Sequence, residues 1–153
     1  MDFGFSFVGL TFLIMLFVPN ILWSKCQPKD YEKYSKNENR LLLTLERIGE
    51  VLVCILSLFC GVNFHFDMIL LIAFFLMLLY EIYWVRYFKS QRTMHDMYDD
   101  FFLIPVPGAT LPVIAFLMLG ICAGNIFLIM SAVILGIGHI GIHLQHKREL
   151  DSR

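Results

Sequence analysis

Three histidines, His139, His143 and His146, stand at i, i+4 and i+7 near the C-terminal end of the chain, so on a helix they share one face. Imidazoles one turn apart can share a metal, and a carboxylate brought alongside completes an N/O shell of the kind that takes zinc, iron or manganese. His139 and His143 are therefore candidate metal ligands, and either could serve as a general base. The plainer alternative is that they hydrogen-bond neighbouring helices, with His143 and His146 close enough to an interface for water to satisfy them.

The carboxylates for such a site lie elsewhere in the chain. Glu46 and Glu50 are four residues apart and share a helical face with Cys54, Ser57 and Gly61, a small, polar stripe that should face protein. Arg47 sits between them. A charge inside a membrane costs about 2.5–3.5 kcal/mol, so such residues usually turn toward a bundle interior and a partner. Against this, Glu46, Arg47 and Glu50 are shallow enough to snorkel to the interface and pair with one another. Glu81 lies deeper in another apolar run and needs a partner from a different helix. Arg86 is turned away from it on a helix, and its simplest role is a positive anchor at the membrane edge.

Pro105, Pro107 and Pro112 open a further apolar segment and forbid a regular helix there. A helix starting near Pro107 or resuming after Pro112 would aim free N–H groups at an interface, which suits an anion, although prolines are also tolerated as plain kinks. Gly120 and Gly124 form a GxxxG, and Gly136, Gly138 and Gly141 accompany the histidines. Both sets mark close helix packing.

The elements that position these groups follow from hydropathy. The 153 residues are 58% hydrophobic with 15 Phe, against roughly 45–50% apolar residues in an ordinary soluble domain. Crossing the hydrocarbon takes about 20 mainly apolar residues as a helix. Five segments qualify: 3–23, 41–62, 66–87, 101–123 and 125–143. The expected fold is all-α: one polytopic domain, a bundle of five transmembrane helices. The first run opens with Asp2 and lacks an Ala-x-Ala exit, so it reads as a retained span and not a signal peptide.

Lys and Arg set the orientation. Lys25, Lys29, Lys33, Lys36 and Arg40 fall after the first span, Arg86, Lys89 and Arg92 after the third, and Lys147, Arg148 and Arg153 after the fifth. The turns around Asn63-Phe64-His65 and Gly124-Asn125 carry none. This places the N-terminus outside and the C-terminus in the cytoplasm, with a bacterial cytoplasmic membrane the expected location. Trp23, Tyr80, Tyr83, Trp84 and Tyr87 fall at cytoplasmic ends, where amphipathic rings favour the headgroup layer. His65 and His95 are assigned to solvent.

Twelve basic and thirteen acidic residues nearly cancel, which excludes the basic field of a nucleic-acid binder. Cys26, Cys54, Cys60 and Cys122 contain no CxxC pair, so neither a disulfide framework nor a cysteine zinc site is expected. GxSxG, HExxH and EExxxR patterns are absent, as are the arginine–proline and tyrosine–glycine signatures of membrane methyltransferases. Glu46, Glu50, Glu81, His139, His143 and the Pro105 to Pro112 break all map to the cytoplasmic half, with Arg47 and Arg86 completing the candidate ligand-binding set, while the outer half is almost wholly apolar. That asymmetry suits a pocket open to the cytoplasm better than a water-filled channel. Three functions are expected in order. The first is a binding module or membrane subunit for a lipid headgroup, a small anion or a protein partner, the partner including a second copy. The second is an inner-leaflet enzyme with a His/Glu site. The third is a structural interaction protein.

Overall fold

The computed structural model describes residues 4–60, 67–99 and 101–152, and all regular structure in them is helical. In order these are α1 (Phe7–Lys25), α2 (Tyr31–Ser35), α3 (Arg40–Leu58), α4 (Met68–Lys89), α5 (Met94–Tyr98), α6 (Pro107–Cys122) and α7 (Ile126–Asp151). Three are long and apolar enough to cross a membrane: α1, α4 and α7. They turn large apolar side chains outward, among them Ile21, Phe75 and Met130. A surface of that kind belongs to a membrane-embedded protein. The expected turn at Asn63-Phe64-His65, Gly61 of the polar stripe and Arg153 lie outside the described residues.

Helix starts are encoded by short polar residues that satisfy otherwise orphaned N–H groups. Ser6 caps α1, Asn39 accepts from Leu41 and Leu42 at the start of α3, Asp67 caps α4, and Asn125 accepts from Phe127 and Leu128 at α7. Thr93 and Asp96 form a reciprocal capping box around α5. Of the two helix starts expected in the proline segment, the one near Pro107 is observed, whereas Pro112 does not interrupt the helix. The chain is irregular only to Val106, with an isolated bridge between Phe101 and Ile104 and positive φ at Phe102, Leu103 and Val106. Pro107 then takes the first helical position, where its missing N–H costs nothing, and Pro112 is carried inside a continuous α6.

Glycines set how closely the long helices approach. A Cβ on Gly138 would fall into the backbone of Glu46 and Leu42, and one on Gly49 into the backbone of Leu135. The pairs 46/138 and 49/135 run in opposite directions, so α3 and α7 pack antiparallel with their backbones nearly touching. Gly120 meets Ile129 and Gly136 meets Val113, which defines α6 and α7 as an antiparallel hairpin. Gly124, the second glycine of the GxxxG, has φ +59° and forms the turn of that hairpin instead of a packing contact.

On α4, Tyr80, Tyr83, Trp84 and Tyr87 form one buried face. This corrects the expectation that they sit among headgroups. Their spacing puts them on the inner side, and their hydroxyls reach backbone carbonyls there: Tyr80 to Leu16 at 3.5 Å, Tyr83 to Met97 at 2.6 Å and Tyr87 to Cys26 at 3.0 Å. The aromatic ladder thereby binds α4 to α1 and to the two polar loops.

Candidate functional site

A cavity of about 270 Å³ lies where the C-terminal ends of α1, α4 and α7 meet the N-terminal ends of α3 and α6. Its polar wall contains Glu38, Glu46, Arg47, Glu50, His139 and His143. Its aromatic wall contains Phe17, Trp23, Tyr31, Tyr83, Trp84 and Tyr98. Five of the seven residues singled out in the sequence therefore converge. Glu81 and Arg86 do not line it.

Glu46 is buried, and its Oε1 lies 2.5 Å from Nδ1 of His139, a short bond between α3 and α7. The Gly138 contact puts the two side chains within reach, since it brings the α7 backbone against Glu46 one residue before His139. Arg47 points the other way and donates to Glu50 at 3.0 Å, with both side chains substantially exposed. The carboxylate stripe thus divides its work: Glu46 turns inward to a histidine, while Glu50 pairs with Arg47 at the cavity edge.

A second chain of polar contacts enters from the loops. Gln145 accepts from the Asn39 N–H at 3.2 Å and donates to the Asn37 carbonyl at 2.6 Å, gripping the segment on either side of Glu38. This holds Glu38 Oε1 3.2 Å from Nε2 of His146, at ion-pair distance though off the line of a hydrogen bond. Nδ1 of His146 lies 3.1 Å from the Tyr98 hydroxyl, and the same hydroxyl lies 2.9 Å from Nδ1 of His143. One hydroxyl proton cannot serve both nitrogens, so Tyr98 donates to one and accepts from the other. With Glu38 ionised, Nε2 of His146 carries the hydrogen and its Nδ1 accepts from Tyr98. His143 then donates from Nδ1 to the Tyr98 oxygen and keeps a lone pair on Nε2.

Burial and the charge of Glu46 push the Glu38 carboxyl above its ordinary range, and burial and nearby carboxylates push the Tyr31 hydroxyl up in the same way. The Tyr98 hydroxyl is held well above its usual value, chiefly by burial, so it acts as a neutral hydrogen-bonding group. Two donors of the aromatic wall are unspent. The indole N–H groups of Trp23 and Trp84 are buried and have no hydrogen-bond partner among the described residues.

Glu81 has a buried oxygen, Oε1, that also lacks such a partner, away from the cavity. Arg86 is spent on structure. It donates to the carbonyls of Asp96 and Asp99 at 3.2 and 3.3 Å and lies over the Tyr83 and Phe101 rings. Among the described residues no group of three or more His, Cys, Asp or Glu side chains is arranged to hold a metal. The His139 and His143 rings lie edge to face at 4.6 Å, and each Nδ1 is engaged, with Glu46 and with Tyr98.

Sequence reasoning missed Tyr98, Glu38 and Gln145, which complete this polar network with the inward-turned His146. His146 is fully buried, contrary to the expectation that it meets water. Thr93 and Asp96, three apart, were the available signal for α5 and hence for Tyr98. Compared with known protein families, curated proteins and solved structures, the chain matches none.

Proposed function

We propose that the chain is a five-span membrane protein whose cytoplasm-facing cavity receives the polar headgroup of an amphiphile. The Lys and Arg distribution supports an external N-terminus and an internal C-terminus. The alternating directions of α1, α3, α4, α6 and α7 fit a count of five, with α3 and α6 completed as spans by the bundle that shields their charges and prolines. A bacterial cytoplasmic membrane suits this topology.

The observation that carries the reading is the composition of the cavity. Carboxylates, an arginine and unspent indole donors sit beside Phe17, Leu43, Val106 and Ile142, so a ligand with a charged end and an apolar end is matched on both. Photolabelling tests it. An amphiphile with a diazirine in its headgroup should label peptides carrying residues 43–50, 97–109 and 139–143, while a tail-placed diazirine should label the outward faces. Headgroup labelling scattered over the outward faces would contradict the proposal.

A second reading, an inner-leaflet enzyme, is favoured by one arrangement. With Glu38 ionised, the Glu38–His146–Tyr98 chain favours a lone pair on Nε2 of His143, which is how a general base is prepared.

A further inference from the structure

We propose that the headgroup this cavity selects is a cation, a primary or substituted ammonium, and not an anion. The inference rests on the headgroup reading and narrows it.

The first support is charge. Glu38, Glu46 and Glu50 line the cavity against the single guanidinium of Arg47, so with neutral histidines the lining sums to −3 + 1 = −2 when Glu38 is ionised and to −2 + 1 = −1 when it is protonated. If the proton of the short Glu46–His139 bond makes the imidazole a cation, these sums become −1 and 0, so in no state does the lining carry a net positive charge. An anion entering this space would meet carboxylates with no surplus cation to hold it.

The second support is the kind of polar atom left unspent. An ammonium presents only donors and needs acceptors around it. Glu46 uses Oε1 on His139 and Glu50 uses Oε2 on Arg47, which leaves each carboxylate a second oxygen. With Glu38 ionised, the Glu38–His146–Tyr98 chain favours the hydrogen on Nδ1 of His143 and leaves its Nε2 a lone pair. This gives the relay a binding purpose, since the opposite tautomer would turn His143 from an acceptor into a donor facing a cation.

The third support is the aromatic wall. Trp23 packs against Tyr31 at 4.9 Å and Trp84 against Tyr83 at 5.3 Å. Indole and phenol rings beside carboxylates form the surroundings in which ammonium groups are held by cation–π attraction. The Trp23 and Trp84 N–H groups then remain for an acceptor elsewhere on the same ligand, as in a zwitterionic headgroup.

Both tryptophans of the chain line the cavity, so intrinsic fluorescence reports its occupancy directly. The intact protein in a neutral maltoside detergent is titrated with hexylamine, hexanol and hexyl phosphate, three probes with the same tail. The expected result is a saturating change with hexylamine at a concentration at least about tenfold below that for either other probe. The Glu50→Gln variant, its folding checked by gel filtration, should need about tenfold more amine. Equal half-saturation for the three probes, or a preference for the phosphate, overturns the cation inference while leaving the headgroup reading intact. No change with any probe overturns the headgroup reading itself. Ethylamine matching hexylamine supports the ammonium and identifies its source as a soluble amine, whereas loss of response without the tail assigns it to an amphiphile. The wild-type ranking decides the matter even if the variant fails to fold.

Discussion

Gly138 of α7 rests against the backbone of Glu46 in α3, and this contact places His139 within hydrogen-bonding distance of the Glu46 carboxylate. The close backbone approach of α3 and α7 and the Glu46–His139 pair of the cavity are therefore one structural feature. Its disruption should be visible first in stability and then in binding.

Replacing Gly138 with Ala should cost about 3 kcal/mol, at the upper end for overpacking, because the added carbon meets backbone that cannot swing aside. Gly136→Ala, which meets only the side chains of Val113 and Ile140, should cost less, and Gly4→Ala, with nothing nearby, should be neutral. Thermal unfolding in detergent ranks the three. Equal behaviour of Gly138→Ala and Gly4→Ala would remove the close α3–α7 packing.

Loss of the Tyr98 hydroxyl in Tyr98→Phe leaves two imidazole nitrogens without their shared partner and should destabilise by about 1–3 kcal/mol. Nitrogen-15 spectra provide a sharper readout. In the wild type, at a pH where Glu38 is ionised, His143 should carry its hydrogen on Nδ1 and His146 on Nε2, and Tyr98→Phe should release His143 from that tautomer. A wild-type His143 protonated on Nε2 would break the relay.

Gln145→Leu should free the segment around Glu38, since both backbone bonds that grip it are lost while the helix itself remains. Amide exchange at Asn39 should rise by roughly tenfold, the equivalent of one modest hydrogen bond. Lys33→Ala is the control. Its exposed pair with Asp30 should be worth less than about 1 kcal/mol.

The pH dependence carries two opposite signs. Glu38 has a raised carboxyl, so its protonated form is favoured in the folded state. Stability should therefore fall as pH rises from the ordinary carboxylate value through the raised one, and Glu38→Gln should abolish that fall. Asp96 has a lowered carboxyl because it accepts from the Thr93 N–H in the capping box. Its contribution is present above the ordinary value and should be lost as pH drops through the lowered one. Stability curves of Glu38→Gln and Asp96→Asn against pH separate the two, and a wild-type curve unchanged by either substitution would contradict both.

Much of this was legible in the sequence because hydropathy and charge are local. The helices and the convergence of Glu46, Arg47, Glu50, His139 and His143 follow from periodicity and from a common end of the apolar runs. What escaped depends on the angle at which helices face each other. Tyr80, Tyr83, Trp84 and Tyr87 have the composition of an interfacial belt, yet α4 turns them inward, where the three tyrosine hydroxyls find carbonyls. Glu81 and Arg86 resembled site residues by type, but α4 directs both away from the cavity. Tyr98 sits on a five-residue helix too short to announce itself by periodicity, and Glu38 gains its role only from Gln145, 107 positions away.

Topology is checked by reporter fusions. Fusions after Asn63 and after Arg153 should lie on opposite sides of the membrane, because the Lys and Arg pattern puts the first outside and the second inside. The same side for both would contradict the five-span arrangement.

The central claim, that the cavity holds the headgroup of an amphiphile, is tested most directly by native mass spectrometry of the protein released gently from its own membrane. The account predicts one retained amphiphile per chain, lost when the Glu46–His139 pair is removed by the Glu46→Gln, His139→Leu double variant, with the variant's fold verified by circular dichroism. A folded wild type that leaves the membrane with no bound molecule, and whose tryptophan emission does not change when membrane lipid is returned, would contradict it.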